Sequence, residues 1–138
     1  ECLAAHGSRA ATDITGFGLL GHLVEMVRAS GVDVVLDLGA VPLMDGAAET
    51  VRAGIVSSLQ PQNVRLRRAV ANQEEAGRDP RYPLIYDPQT AGGLLASVPA
   101  DRAEACVAAL IALGYTRTMI VGEVLPQSGA LEPITIRV

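Results

Sequence analysis

Asp13 is the side chain with the most to offer chemically. It sits in the run ATDITGFGLLGH, flanked by Thr12 and Thr15 and followed by Gly16 and Gly18, just ahead of residues with helical apolar spacing. A helix start exposes unpaired N–H groups and the positive end of the backbone dipole, which suits a phosphate. A carboxylate beside it suits Mg²⁺, a hard ion that takes oxygen ligands and bridges protein carboxylates to nucleotide phosphates. The chemistry implied is metal-assisted handling of a nucleotide phosphate, with Asp13 as the metal ligand and Thr15 and Gly16 near the phosphate. A second reading uses the same residues: Asp and Thr are ordinary N-caps, and a neighbouring glycine only permits a tight turn. The motif is not a Walker loop, whose pattern needs a lysine, and this chain has none; nor is it a complete GxGxxG.

A second run, YDPQTAGGLL, sets Asp87 before Pro88 and ends in Gly92 and Gly93 directly ahead of an apolar stretch. Paired glycines allow positive φ or the close approach of another backbone. Asp-Pro and Gly-Gly are equally general turn signals, so the run also reads as a loop delivering a buried strand. In a third run, SSLQPQNVRLRR, hydroxyls, amides and the cluster Arg65, Arg67 and Arg68 can meet a phosphate or form a solvated helix face. His6 and His22 show no partner at metal-ligand spacing, and neither Cys2 nor Cys106 has a neighbouring His to activate it. These four read as structural or merely exposed.

The elements that must position these residues follow from periodicity. Residues 1–6 read as the tail of a helix whose start is missing, which makes the chain a piece of something longer. From Gly18 the apolar residues Leu19, Leu20, Leu23, Val24 and Val27 define an amphipathic helix ending at Gly31. Residues 32–38 (VDVVLDL) are β-branched and partly alternating, which predicts a strand. A short helix is expected over 45–53, a loop over 57–63, and a third helix running on through Glu75. A buried strand is expected over 94–98, then a helix from Pro99 with Asp101 and Glu104 in its first turn and a stripe of Ala103, Cys106, Val107, Leu110 and Ile111. Gly114 closes that helix. Strands over 118–124 and 134–138, split by a turn at 126–129, complete one α+β domain over 1–138, with a mixed, largely antiparallel sheet covered by helices.

Bulk properties narrow the function classes. A chain of 138 residues, 49% hydrophobic, suits one domain. All 11 basic residues are Arg, the net charge is −4 and aromatics make up 3%, so neither a basic field nor base stacking favours nucleic acid. No run approaches the roughly 18 apolar residues of a membrane span, and two distant cysteines are no disulfide framework. A cytoplasmic protein without membrane or nucleic-acid partners is the expectation.

At ATDITGFGLLGHLVEM the chain closely resembles the selenophosphate synthetase family, and YDPQTAGGLLASVP is similar to that family's second signature, in the same order. The terminal VGEV resembles its last strand. Related enzymes, among them aminoimidazole ribonucleotide synthetase and thiamine-monophosphate kinase, share a two-domain plan, and the TGFG form points to the selenium branch. The resemblance implies conversion of ATP, selenide and water to selenophosphate, AMP and phosphate, in a homodimer whose N-terminal half binds most of the nucleotide. It implies a C-terminal domain related to the ferredoxin-like arrangement, with Asp13 a ligand of the Mg²⁺ ions on the ATP phosphates. The family's reactive Cys or selenocysteine lies in the other half, so no catalytic residue is named here. One departure stands out: a GGTxxN-type stretch reads SLQPQN here, leaving Asn63 as its remaining match near the phosphates. The alternative is a non-catalytic packing domain of a divergent or fused family member.

Overall fold

A computed structural model describes residues 1–138. The expected first helix forms as α2 (Gly18–Ser30), and its buried face is Leu20, Leu23, Val24 and Val27. Spacings of three and four residues put these side chains on one stripe. The chain leaves α2 at Gly31, whose φ of 62° is left-handed, and enters β2 (Val32–Asp37). Val34 and Leu36 alternate inward from β2 onto that stripe, joined by Leu38, Val70, Ile85, Ile134 and Ile136 in one hydrophobic core.

The α+β class is as expected, but the strands form two sheets rather than one. In the larger sheet β2 is central, antiparallel to β4 (Gly122–Pro126) and parallel to β5 (Ile134–Arg137). The smaller sheet pairs β1 (Ala10–Asp13) with β3 (Leu94–Ser97), antiparallel. Here the expectation of a buried strand fails: Leu94 is 71% exposed, because a two-stranded ribbon has no second layer over its outer face.

The expected third helix is broken. Its place is taken by a 3₁₀ segment (Val64–Ala69) and α5 (Gln73–Ala76), while a short helix, α4 (Gln60–Asn63), forms inside the expected 57–63 loop. Val70 turns extended, with φ −99° and ψ 122°, and bridges in parallel to Ile134. Asn72 then clasps the sheet edge, donating to the Ile136 carbonyl at 2.7 Å and accepting the Ile136 N–H at 2.9 Å. Burial of Val70 on the core and these edge bonds outweigh continued helix. The short helix α3 (Ala47–Arg52) forms within its expected span, and a 3₁₀ segment (Tyr82–Tyr86) occupies the connection before the second motif.

The C-terminal helix α6 (Ala103–Ala112) packs on α1 (Cys2–Ala5), apart from the main core. Of its expected stripe only Cys106 is buried, and Ile111 is exposed. No helix is long and apolar enough to cross a membrane.

Candidate functional site

The β1–β3 ribbon brings the two glycine-rich motifs side by side, an arrangement that their separation in sequence does not reveal. Asp13 lies opposite Leu94 in register, and just beyond the strand ends Ile14 donates its N–H to the Gly93 carbonyl at 2.8 Å. Gly92 returns a bond to the Ile14 carbonyl at 3.1 Å, and Gln89 N–H reaches the Thr15 carbonyl at 3.0 Å. The glycines have steric reasons to be there. A Cβ on Gly92 would collide with the Ile14 carbonyl oxygen, and one on Gly18 would lie 2.8 Å from the Tyr86 carbonyl carbon, at a φ of 69°. Both are close-approach positions where one motif's backbone lies against the other's.

Asn63 ties the two loops from beneath. It is 6% exposed, and its Nδ2 donates to the Gly16 carbonyl at 2.9 Å and to the Tyr86 carbonyl at 3.0 Å. Gln60 likewise turns inward, donating to the Pro83 carbonyl at 2.8 Å. Two of the three side-chain amides of the SLQPQN run are thus committed to backbone carbonyls, and Gln62 is exposed. Arg65, Arg67 and Arg68 are exposed and form no ion pair, as a solvated face would.

Asp13 is placed differently from its expectation. It ends β1 and does not border the helix; α2 begins only at Gly18, with Phe17 in the N-cap position and no side-chain cap. Neither the helix-dipole argument nor the N-cap reading therefore describes it. Its side chain is exposed and takes part in no hydrogen bond or ion pair of the chain, where only the Asp13 backbone carbonyl accepts, from Thr12 Oγ1 at 3.1 Å. A hard, uncommitted carboxylate oxygen at a strand end fits Mg²⁺, which takes few protein ligands and keeps several waters.

Thr15 and His22 form a linkage that the sequence reading missed. The Glu25 carboxylate, 3.2 Å from His22 Nδ1, can only accept, so Nδ1 carries the proton. In the neutral ring Nε2 then accepts the Thr15 hydroxyl, 3.1 Å away. His22 is 7% exposed and its ring lies 5.6 Å from that of Phe17, centroid to centroid. The chain Thr15–His22–Glu25 fixes the hydroxyl and pins the motif loop to α2. The spacing of His22 and Glu25, one helical turn apart, is the signal that would have found it. Gly16 is exposed, with open space where a side chain would be.

A surface hollow of about 400 Å³ adjoins the second motif, lined by Thr50, Val51, Ile55, Ser57, Asp87 and Pro88 among others. Asp87 also accepts from Gln89 Nε2 at 3.2 Å, steadying the turn. Just ahead of Asp87 in the chain, Tyr82 and Tyr86 meet edge to face at 5.2 Å, with both hydroxyls buried and without hydrogen-bond partners. Burial, then the neighbouring Tyr82, pushes the Tyr86 phenol well above its ordinary range, so it stays neutral.

With the paired motif loops on one small ribbon beside an α+β core, the chain matches over residues 1–132 the family described as AIR synthase related protein, C-terminal domain, and belongs to that family. Within it, the resemblance carried by the two motifs is supported by relatives named Selenide, water dikinase. One from Clostridioides difficile (strain 630) is 40% identical over 120 residues, 84% of this chain and 33% of that protein. One from Escherichia coli O157:H7 is 37% identical over 132 residues, 95% of this chain and 37% of the relative. Selenide, water dikinase 2 of Peptoclostridium acidaminophilum is 36% identical over 125 residues, covering 91% and 36% respectively. The chain spans about a third of the length of these curated relatives.

Proposed function

We propose that this chain is the C-terminal domain of an ATP-dependent selenide, water dikinase, forming selenophosphate, AMP and phosphate from ATP, selenide and water. The observation that carries the reading is Asp13: a free, exposed carboxylate at the end of a strand whose partner delivers the second motif. In this reading Asp13 holds Mg²⁺ on the ATP phosphates, and the bound ion supplies neutralisation of phosphate charge. Thr15 and Gly16 present the motif loop to the phosphates, Thr15 held by His22. Asn63 supports that loop from below, since both its carbonyl partners belong to the motif strands and turns. An N-terminal half supplies the adenine pocket and nucleophile, in a cytoplasmic homodimer.

The test is selenide-dependent AMP formation by the full-length protein carrying Asp13→Asn. A fall of about a hundredfold is expected, the order seen when one preorganised electrostatic contact to a reacting group is removed. Unchanged turnover at low Mg²⁺ would remove Asp13 from the mechanism.

A packing domain without chemistry is the second reading, and one observation favours it. The amides of Gln60 and Asn63 face inward, so the SLQPQN run offers a phosphate little beyond Ser58 and the exposed Gln62. A glycine-rich segment bearing Cys or selenocysteine and Lys upstream of Glu1 supports the enzyme; its absence supports the packing role.

A further inference from the structure

Cys2, His6 and Cys106 converge where α1 meets α6. Cys2 opens α1 and His6 caps its C-terminal end four residues on, which sets the two side chains on one side. Cys106 faces them from α6, buried at 2% exposure, and one donor atom from each of the three residues lies within 4.8 Å of the other two. The sequence reading found no partner for these residues. Cys2 and His6 share a four-residue spacing in the sequence, and Cys106 joins them only through the fold.

We propose that Cys2, His6 and Cys106 form a binding site for a thiophilic divalent metal ion of the Zn²⁺ type. Donors on one tetrahedral Zn²⁺ lie roughly 3.5–3.8 Å apart, given Zn–S near 2.3 Å and Zn–N near 2.0–2.1 Å. The Cys2 Sγ to His6 Nδ1 separation is already 3.8 Å, and the whole set needs to contract by no more than about 1 Å to meet that spacing. Two sulfurs and an imidazole select Zn²⁺ over the hard Mg²⁺ assigned to Asp13, so the two sites do not compete for one ion. Three protein ligands leave a fourth position for water.

The surroundings suit the assignment. His6 Nδ1 donates to the Cys2 carbonyl at 2.9 Å. Nδ1 is also the ring atom that faces the Cys2 sulfur at 3.8 Å, so ligation through it exchanges this carbonyl bond for a metal–nitrogen bond. Both cysteines are free thiols. Burial, and then the adjacent Cys2 sulfur, push the Cys106 thiol up. A metal binds the two sulfurs as thiolates, so uptake releases their protons to solvent, with no change of oxidation state. The consequence is a clip between α1 and α6, two helices that lie outside the main core.

The experiment uses the full-length protein, reduced, stripped with chelator and titrated with Co²⁺ as the spectroscopic stand-in for Zn²⁺. Wild type is expected to develop a thiolate-to-cobalt charge-transfer band that Zn²⁺ bleaches. Cys2→Ser and His6→Asn should each lose one equivalent of that signal, with Zn²⁺ affinity at this site weakened more than about a hundredfold, beyond the ~10–100-fold typical of outer-shell changes. Both substitutions fall on half-buried positions, and circular dichroism of the metal-free variants verifies that they fold. Zn²⁺ should also raise the Tm of wild type and not of either variant. The proposal is overturned if wild type takes up no more Co²⁺ than Cys2→Ser. It is overturned equally if the sulfur band survives in both variants, or if the stripped protein closes a Cys2–Cys106 disulfide and ignores the metal. Failure of Asp13→Asn to affect turnover leaves this result untouched, because no residue is shared.

Discussion

Single side chains at the paired motifs divide into those turned outward and those used up inside. Asp13 belongs to the first group and Asn63 to the second, and the distinction has a measurable consequence. Asn63→Ala removes both N–H bonds to the Gly16 and Tyr86 carbonyls, one of them fully buried. Leaving buried acceptors unpaired typically costs about 1–3 kcal/mol each, so a loss of about 2–3 kcal/mol is expected in urea unfolding. Asn63→Asp keeps the shape but not the donors and should be no better. A loss below 0.5 kcal/mol, on the order of a neutral surface change, would mean that water replaces the amide and the loops do not depend on it. Asp13 and the glycines stand out in the sequence because carboxylate, hydroxyl and glycine together already signal a phosphate or a turn. Their pairing does not, since Gly92 against Ile14 is a contact between two loops far apart in the chain. Cys106 was unreadable for the same reason.

At the scale of elements, α2 and β2 were legible because each buries one face against the same core, and single-sided burial writes its period into the sequence. The segment from Gln60 to Ala76 was not, because Val70 and Asn72 answer to Ile134 and Ile136 across the sheet edge rather than to their helical neighbours. The turn that follows is held by charge. Arg81 grips Asp79 with Nε and Nη2 at 3.0 and 2.7 Å, and its backbone N–H adds a third bond at 2.8 Å. The side-chain bonds to Arg81 hold the Asp79 carboxyl below its ordinary value, although burial opposes them. A depressed folded value means that the pair stabilises the protein above the ordinary carboxylate range, near pH 3.9, and ceases to as the pH falls through the lower folded value. Arg81 is 34% exposed at its side chain, so solvent screening limits the contribution to about 1 kcal/mol. Asp79→Asn should therefore be less stable than wild type at neutral pH, and the gap should shrink in acid below that range. A gap independent of pH would assign the loss to packing instead.

For the whole molecule, the decisive feature is how much of its apolar surface faces outward near the motifs. Phe17, Ile55, Val56, Leu59 and Leu94 are all exposed, while the core built on α2 and β2 is complete without them. A finished core predicts that these residues fold by themselves, without nucleotide. If the chain is the C-terminal domain of a dikinase as proposed, the exposed apolar side chains beside the motif loops are a surface for the remaining part of that protein to cover. Catalysis and tight nucleotide binding should then require both halves. One carboxylate cannot by itself satisfy an octahedral ion that keeps most of its waters, so residues 1–138 alone should bind Mg²⁺ weakly and turn over no ATP. Calorimetry of the isolated chain with Mg·ATP is expected to give no heat at micromolar concentrations, against clear binding by the full-length protein. Micromolar affinity in the isolated chain would instead place the nucleotide pocket within this domain, with the hollow lined by Ser57 and Asp87 as the place to look.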